Sequence, residues 1–193
     1  MKDAGLHGTE PPSEWVKRWS HLARQGGRVL DVACGHGRHA HYFYQENHPV
    51  TVVDRAQAAI ESIAIPAPAC EKVVADIENG PWPFAGRQFD AVVVTNYLWR
   101  PLMSTLLASL ASGGVLIYET FAQGNETVGK PSRPNFLLHP GELLETCKDL
   151  RVVAFEDGFM AGAGGQTPRF VQRIAAVREA GVNRLPARYP LPS

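Results

Sequence analysis

The residues of this sequence that could do chemistry are three acids, each at or near the end of a short apolar run. Asp31 lies in RVLDVA (28–33), Asp54 ends VTVVD (50–54) and Asp76 ends KVVAD (72–76). If these runs are parallel strands, their carboxyl ends meet at one edge of a sheet, where ligands bind in α/β folds. A carboxylate about 20 residues beyond a glycine-rich turn accepts hydrogen bonds from ribose hydroxyls. The three acids therefore predict a site for a nucleoside-containing ligand.

A glycine-rich turn, ACGHG, follows the first of these runs and leads into an amphipathic segment. Gly35 and Gly37 lack Cβ atoms, so the chain can turn tightly and a ligand can approach the backbone. The helix that begins after the turn presents unpaired N–H groups, which favour a carboxylate or a phosphate. The turn is predicted to bind the anionic part of the same ligand.

A metal site is the alternative interpretation of the same stretch, because Cys34, His36, His39 and His41 cluster there. His39 and His41 are two residues apart, so on a helix they face different sides. Structural zinc sites have more regular ligand spacings. The spacing of these residues therefore argues against a metal site.

Seven apolar runs, most of them continuous and rich in valine and isoleucine, predict strands buried on both faces. They span residues 28–33, 50–54, 72–76, 91–95, 115–120, 151–155 and 171–177. Helical spacing occupies 38–46, 56–63, 101–110 and 140–150, and EPPSEWVKRWSHLA indicates a leading helix. Alternating strands and helices predict a doubly wound α/β sandwich.

The bulk composition is ordinary for a globular protein. The 193 residues carry a net charge of zero and three widely spaced cysteines, which favours reduced thiols and no general attraction to nucleic acid or membrane. We expect one domain, with a helical cap at 1–25, a core at 26–179 and a proline-rich tail at 180–193. The beginning has no apolar leader and no run is long enough to span a bilayer, so a cytoplasmic location without a membrane partner is expected. The oligomeric state is left open.

The motif Asp31-x-Ala33-x-Gly35-x-Gly37 resembles the E/D-x-G-x-G-x-G motif of class I S-adenosylmethionine-dependent methyltransferases, with Ala33 in place of the first glycine. Two further segments are similar to those that lead into the fourth and fifth strands of this family, PWPFAGRQFDAVVVTNYL and SLASGGVLIYET. ACGHGRHA and YETFAQGNETVGKPSRPNFLLHPGELL resemble a bacterial tellurite-resistance-type branch. The resemblance implies a Rossmann-like, seven-stranded, mostly parallel sheet with helices on both faces and an antiparallel last strand.

The resemblance also implies S-adenosyl-L-methionine as cofactor and S-adenosyl-L-homocysteine as product. By that analogy Asp54 accepts the ribose hydroxyls, Asp76 with the Ile77 amide holds the adenine edge, and Arg38 neutralises the methionine carboxylate. The implied cofactor-binding residues are Asp31, Ala33, Cys34, Gly35, Gly37, Arg38, Asp54, Arg55, Asp76, Ile77 and Asn96, with Trp15 and Arg18 as a cap.

Acceptor contacts are expected after the fourth and fifth strands. Tyr97 is placed by the resemblance at the methyl group and the substrate, and Tyr97 and Glu119 are the catalytic candidates. The loop 121–136 is long and polar, as binding loops and lids often are. Its substrate-facing candidates, with Tyr97, are Asn125, Glu126, Lys130 and Arg133.

The sequence indicates the cofactor better than the acceptor. A small-molecule acceptor is favoured by the neutral charge and the lack of an added recognition domain. An RNA or protein acceptor is the alternative, with Lys130, Arg133, Arg169 and Arg173 as a basic rim. A non-catalytic cofactor-binding protein and a nicotinamide oxidoreductase stay open, although the third glycine of the dinucleotide motif is missing. The accepting atom and the need for a general base are undetermined.

Overall fold

A computed structural model describes residues 10–162, 167–181 and 188–192. Seven strands form one sheet: β1 Val29–Val32, β2 Val50–Asp54, β3 Cys70–Val74, β4 Phe89–Thr95, β5 Leu110–Phe121, β6 Arg151–Met160 and β7 Arg169–Val177. The α-helices are α1 Glu14–Trp19, α2 Arg38–Gln45, α3 Gln57–Ser62, α4 Met103–Ala108 and α5 Glu142–Thr146. Short 3-10 helices span Ser20–Leu22, Arg100–Leu102, Asn125–Thr127 and Pro134–Phe136.

The strand order in the sheet is β3-β2-β1-β4-β5-β7-β6. The first five strands pair in parallel, and β7 is antiparallel to both of its neighbours. From β1 the chain moves to one side through β2 and β3 and then crosses to β4 on the other side. The predicted fold class, including the antiparallel last strand, is confirmed.

Both faces of the sheet are buried because neighbouring residues of each strand enter opposite cores. On one face Val29, Val93 and Ile117 pack with α1, α2 and α3. On the other face Val92 and Leu116 pack with residues of α4 and α5. This explains why the strands have continuous apolar sequences.

The predicted strands and helices are all present, with ends shifted by a few residues. The largest extension is β5, which spans Leu110–Phe121 where the apolar run covers residues 115–120. Strand β6 continues to Met160 where its run ends at residue 155. Residues 1–9 of the predicted helical cap, and 182–187 and 193 of the predicted tail, lie outside the described residues. The division into cap, core and tail stays a prediction.

The three cysteines are buried and unpaired. No helix in the described part of the chain is both long and apolar enough to cross a membrane.

Candidate functional site

A cavity of about 400 Å³ lies at the carboxyl ends of the parallel strands, next to the point where the strand order reverses. This is the usual place for a ligand in a doubly wound sheet. Its lining residues are Ala33, Asp54, Arg55, Ala75, Asp76, Ile77, Glu78, Asn96, Tyr97, Leu98, Thr120, Phe121, Pro131 and Phe136.

The turn after β1 is built from left-handed residues, with φ of 52° at Ala33, 54° at Gly35 and 73° at Gly37. A Cβ at Gly37 would lie 2.8 Å from Cδ1 of Ile63, so this glycine is required for packing against α3 as well as for the turn. Ala33 takes a conformation that costs a non-glycine residue energy. Among the described residues of the turn motif, Ala33 alone belongs to the cavity lining.

Asp31 organises the start of α2 from beneath. Its carboxylate accepts a hydrogen bond from the Ala40 amide at 3.2 Å, and its side chain is 1% exposed. Burial raises the pKa of Asp31 to about 7, against the opposing effect of that amide. This fits the predicted role of ordering the turn, without contact to the cavity.

Asp54 is fixed at the cavity by two backbone amides. One carboxylate oxygen accepts from Gly35 N at 2.9 Å and the other from Ala56 N at 2.8 Å. Each oxygen keeps a further lone pair. The carboxylate is therefore held rigidly in the lining with acceptor capacity for a pair of hydroxyl groups.

Asp76 is held in a similar way at the end of β3. It accepts hydrogen bonds from the backbone amides of Glu78 and Asn79 and from the Asn79 side chain, and the Asn79 side chain is the main cause of a lowered pKa at Asp76. The amide of Ile77 donates to no described residue. An ionised acceptor and an unused donor thus lie side by side in the lining.

The end of β4 brings Asn96 and Tyr97 into the cavity, as predicted. Asn96 has a left-handed backbone, with φ of 54°. The carbonyl of Tyr97 accepts a hydrogen bond from the Tyr118 hydroxyl at 2.8 Å, which fixes the segment to β5. Burial, followed by the Glu78 carboxylate, raises the pKa of Tyr97 far above its usual value. The raised pKa favours the protonated form of Tyr97, and its catalytic role stays a prediction.

Glu119 is not a free base. It is 3% exposed, accepts a hydrogen bond from the Ser13 hydroxyl at 3.0 Å and pairs with Arg173 at 3.1 Å. It is absent from the lining, among the described residues. The side chain joins the start of α1 to β7, and a catalytic role for Glu119 stays a prediction.

Trp15 and Arg18, the predicted cap on the cofactor, contact other parts of the fold, and the cap stays a prediction. Trp15 is 2% exposed, donates its indole N–H to Ile174 O at 3.2 Å and lies beneath the Arg173 guanidinium. Arg18 lies over the Trp19 ring and 3.6 Å from Glu156. Neither side chain is in the cavity lining.

Arg38 and Cys34 are outside the lining too. Arg38 contacts Glu10 at 3.3 Å and Pro11 O at 3.4 Å, so it binds the segment before α1. The Cys34 thiol is buried, with burial raising its pKa. Cofactor contacts by the backbone of Cys34, Gly35 and Gly37, and a role for Arg38, stay predictions.

The loop after β5 supplies cavity residues that differ from those predicted. Asn125 is 1% exposed, donates to Pro131 O at 2.9 Å and accepts from Phe170 N at 3.2 Å, so its role is structural. Glu126 accepts from the Gly124 amide. Lys130 and Arg133 are exposed and outside the lining. The four substrate-facing candidates of this loop lie outside the cavity lining and stay predictions, while Pro131 and Phe136 of the same loop line the cavity.

The apolar part of the lining escaped sequence reasoning, which looked for polar groups. Leu98, Thr120 and Phe121 directly follow or end β4 and β5, so their position past two strand ends was the available signal. Pro131 and Phe136 carried no such signal. Glu78, two residues after Asp76, was also missed.

The histidines of the turn are separated by other contacts. His36 bonds to Ser62, while His39 is 1% exposed and accepts from Ser13 N at 3.1 Å. Burial lowers the pKa of His39 to about 3. No group of three or more potential metal ligands occurs among residues 10–162, 167–181 and 188–192.

Part of the chain is similar in sequence to known methyltransferases. Residues 29–114 match a family model described as a methyltransferase domain. A phthiotriol/phenolphthiotriol dimycocerosates methyltransferase from Mycobacterium ulcerans (strain Agy99) is 33% identical over 116 residues, which is 55% of this chain and 42% of that protein. The chain thus spans less than half the length of that curated relative.

Solved structures share the fold at low sequence identity. TehB from Haemophilus influenzae has a TM-score of 0.69 and 18% identity, over 89% of this chain and 63% of that one. The glycopeptide N-methyltransferase MtfA in complex with S-adenosyl-L-methionine has a TM-score of 0.60 and 19% identity, over 91% and 96% of the two chains. The class I methyltransferase fold predicted from the sequence is confirmed.

Proposed function

We propose that this chain, which carries a methyltransferase domain over residues 29–114 on a class I methyltransferase fold, transfers a methyl group from S-adenosyl-L-methionine to a small-molecule acceptor. The supporting observation is the row of Asp54, Asp76 and the Ile77 amide along one wall of the cavity. MtfA, of the same fold, is known with this cofactor bound.

The groups present fit the cofactor. Asp54 offers a rigid carboxylate with unused lone pairs, as a vicinal ribose diol requires. Asp76 and the unpaired Ile77 amide offer one acceptor and one donor, which matches the edge of an adenine.

When bound, S-adenosyl-L-methionine supplies an electrophilic methyl group. The protein's part is to orient the reacting atoms and exclude water. Asp54 and Asp76 hold the nucleoside, while Tyr97, Leu98 and Phe121 form the wall on the far side of the cavity. The small residue Ala33 leaves open the space between these two parts.

A small-molecule acceptor is supported by the zero net charge of the chain, which gives no general attraction to nucleic acid. The cavity of about 400 Å³ has the size of a site for the cofactor itself. The alternative of an RNA or protein acceptor loses part of its basis. Of the four proposed basic-rim residues, Arg173 is partly buried and paired with Glu119 and Glu156. Lys130 and Arg133 are exposed but do not line the cavity.

The test is calorimetric titration of the Asp54→Ala variant with S-adenosyl-L-methionine. We expect binding to weaken about 10- to 150-fold, because ribose hydroxyls lose a charged acceptor. Asp90→Ala is the matched control: Asp90 also accepts from a backbone amide, that of Arg28 at 2.8 Å, but at the opposite end of the sheet. The control should bind as the wild type does. Equal binding by Asp54→Ala and wild type would remove the ribose assignment.

A further inference from the structure

One end of the cavity differs in chemistry from the other. The charged lining residues, Asp54, Arg55, Asp76 and Glu78, all follow β2 and β3. The end formed by the termini of β4 and β5 and the loop after β5, here called the acceptor end, consists of Asn96, Tyr97, Leu98, Thr120, Phe121, Pro131 and Phe136. None of these described residues carries a charge.

The aromatic side of the acceptor end is held in place by polar contacts of Arg100, which are partly exposed to solvent. Arg100 donates to the carbonyls of Asn135 at 3.0 Å and Leu137 at 2.9 Å, on either side of Phe136. The same guanidinium pairs with Glu142 at 2.7 Å, which anchors it to α5. Phe136 is nevertheless 45% exposed. A large apolar ring fixed at a cavity with half of its surface open is a preformed contact for an apolar ligand.

Pro131 is fixed independently on the other side of the loop. Asn125 donates to the Pro131 carbonyl, and its own oxygen accepts from Phe170 N in β7. Asn125 is buried, so these bonds are sheltered from water. The loop therefore presents two apolar side chains through two positioning residues, Arg100 and Asn125.

The polar groups near the acceptor end carry no positive charge for an anion. Glu119 is bound to Ser13 and Arg173, and the Tyr97 hydroxyl is neutral, with no hydrogen-bond partner among the described residues. An oxyanion entering this end would lose its hydration and find no cation among the residues of the acceptor end, because the cation of the described lining, Arg55, follows β2. A neutral group would avoid that cost.

We propose that the acceptor is a small, uncharged, largely apolar molecule with a nucleophilic atom that needs no enzyme base, of which a thiol is the simplest. This rests on the proposed function. For a thiol, a lone pair of the thiol sulfur forms the new S–CH₃ bond while the S–H proton passes to water, and the electron pair of the broken C–S bond stays on the former sulfonium sulfur. The products are a methyl thioether and S-adenosyl-L-homocysteine.

The test compares 1-propanethiol with 3-mercaptopropionate, which have similar size and thiol acidity but differ by one carboxylate. We expect kcat/KM for 1-propanethiol to be at least about tenfold higher. Saturation-transfer NMR on the complex with S-adenosyl-L-homocysteine should show contact with 1-propanethiol and weaker contact with 3-mercaptopropionate. Lys130 and Arg133, the exposed cations of the same loop, would favour 3-mercaptopropionate. Comparing the two thiols therefore tests whether these cations or the apolar lining determine the preference.

Variants locate the effect within the molecule. Phe136→Ala should lower kcat/KM for 1-propanethiol about fivefold or more, because an apolar contact is lost, while the dissociation constant of S-adenosyl-L-homocysteine stays within about threefold. Phe159→Ala is the control, since Phe159 is 51% exposed and lies outside the lining. It should leave both quantities unchanged. An equal loss of cofactor affinity in Phe136→Ala would place that ring in the cofactor site and contradict the proposal.

Calorimetry with S-adenosyl-L-homocysteine is done first and separates the two claims. Failure to bind it would overturn the proposed function itself. If the protein binds S-adenosyl-L-homocysteine but prefers 3-mercaptopropionate, or methylates the two thiols equally well, only the apolar acceptor is overturned. The apolar acceptor is also overturned if the protein binds S-adenosyl-L-homocysteine but neither contacts nor methylates either thiol.

Discussion

At the residue scale, His39 is a buried base whose ionisation is linked to folding. Burial lowers the pKa of His39 to about 3, from an ordinary value of 6.5. Between these values the unfolded chain binds a proton that the folded chain does not. The contribution of His39 to stability is therefore complete above pH 6.5 and is lost as the pH falls towards 3.

His39→Gln should remove this dependence, because glutamine can still accept a bond from Ser13 N but does not ionise. We expect the free energy of unfolding of the wild type to gain up to about 1.4 kcal/mol per pH unit over that of the variant between about pH 4 and pH 6. Urea unfolding of both proteins at three pH values measures it. Profiles that run parallel would show that His39 keeps an ordinary pKa in the fold.

Asp31 acts in the opposite direction over a similar range, which is why the variant must be compared with the wild type and not judged alone. Burial raises the pKa of Asp31 to about 7. Between 3.8 and 7 the folded chain holds a proton that the unfolded chain releases, so this contribution to stability falls as pH rises. The Asp31 contribution is common to both proteins and cancels in the comparison.

Single residues at strand ends were predictable, and residues bound across the fold were not. Asp54, Asp76 and Asn96 line the cavity because a strand end places them there. Glu119 also ends a strand, but its partner Ser13 is 106 positions away in sequence. Local sequence carries no signal for such a pairing, so its occupied state appears only in the structure.

At the element scale, α1 depends on its contacts with the rest of the fold. It has six residues, too few to be stable alone. Ser13 caps it by accepting from Trp15 N and also binds Glu119, while Trp15, Val16 and Trp19 are buried. The cap therefore connects the helix to β5.

Ser13→Ala should destabilise the protein by about 1–3 kcal/mol, because the helix loses its cap and Glu119 loses a donor. Ser104→Ala is the control, since Ser104 is exposed on α4, and should change stability by less than about 0.5 kcal/mol. Urea unfolding compares the two. If both variants matched the wild type, the Ser13 bridge would contribute nothing to stability.

The structure of the loop after β5 was not predictable from the sequence. Continuous apolar runs located all seven strands, but residues 121–136 have neither such a run nor a helical period and were expected to be a polar binding loop. Its two 3-10 turns are held by Asn125 and Arg100 through bonds to backbone carbonyls. Arg100 lies 35 positions from Asn135, and such contacts leave no pattern in local sequence.

At the scale of the whole molecule, the strand order explains why scattered residues form one site. β1 lies between β2 and β4, so the carboxyl ends of the five parallel strands meet beside the point where the strand order reverses. The acids after β2 and β3 form one wall of the cavity, and the residues after β4 and β5 form the other. The position of the site follows from the alternation of strands and helices, and was predictable from it.

The most direct test of the central claim is a thermal-unfolding comparison of the wild type with S-adenosyl-L-methionine, S-adenosyl-L-homocysteine, NAD(H) and zinc. A ligand at about 100 times its dissociation constant adds roughly 2.7 kcal/mol, which raises Tm by about 5–10 °C for a chain of this size. We expect this shift with the two adenosyl compounds and none with the others. A shift only with NAD(H) or zinc would contradict the assignment of the cavity to S-adenosyl-L-methionine.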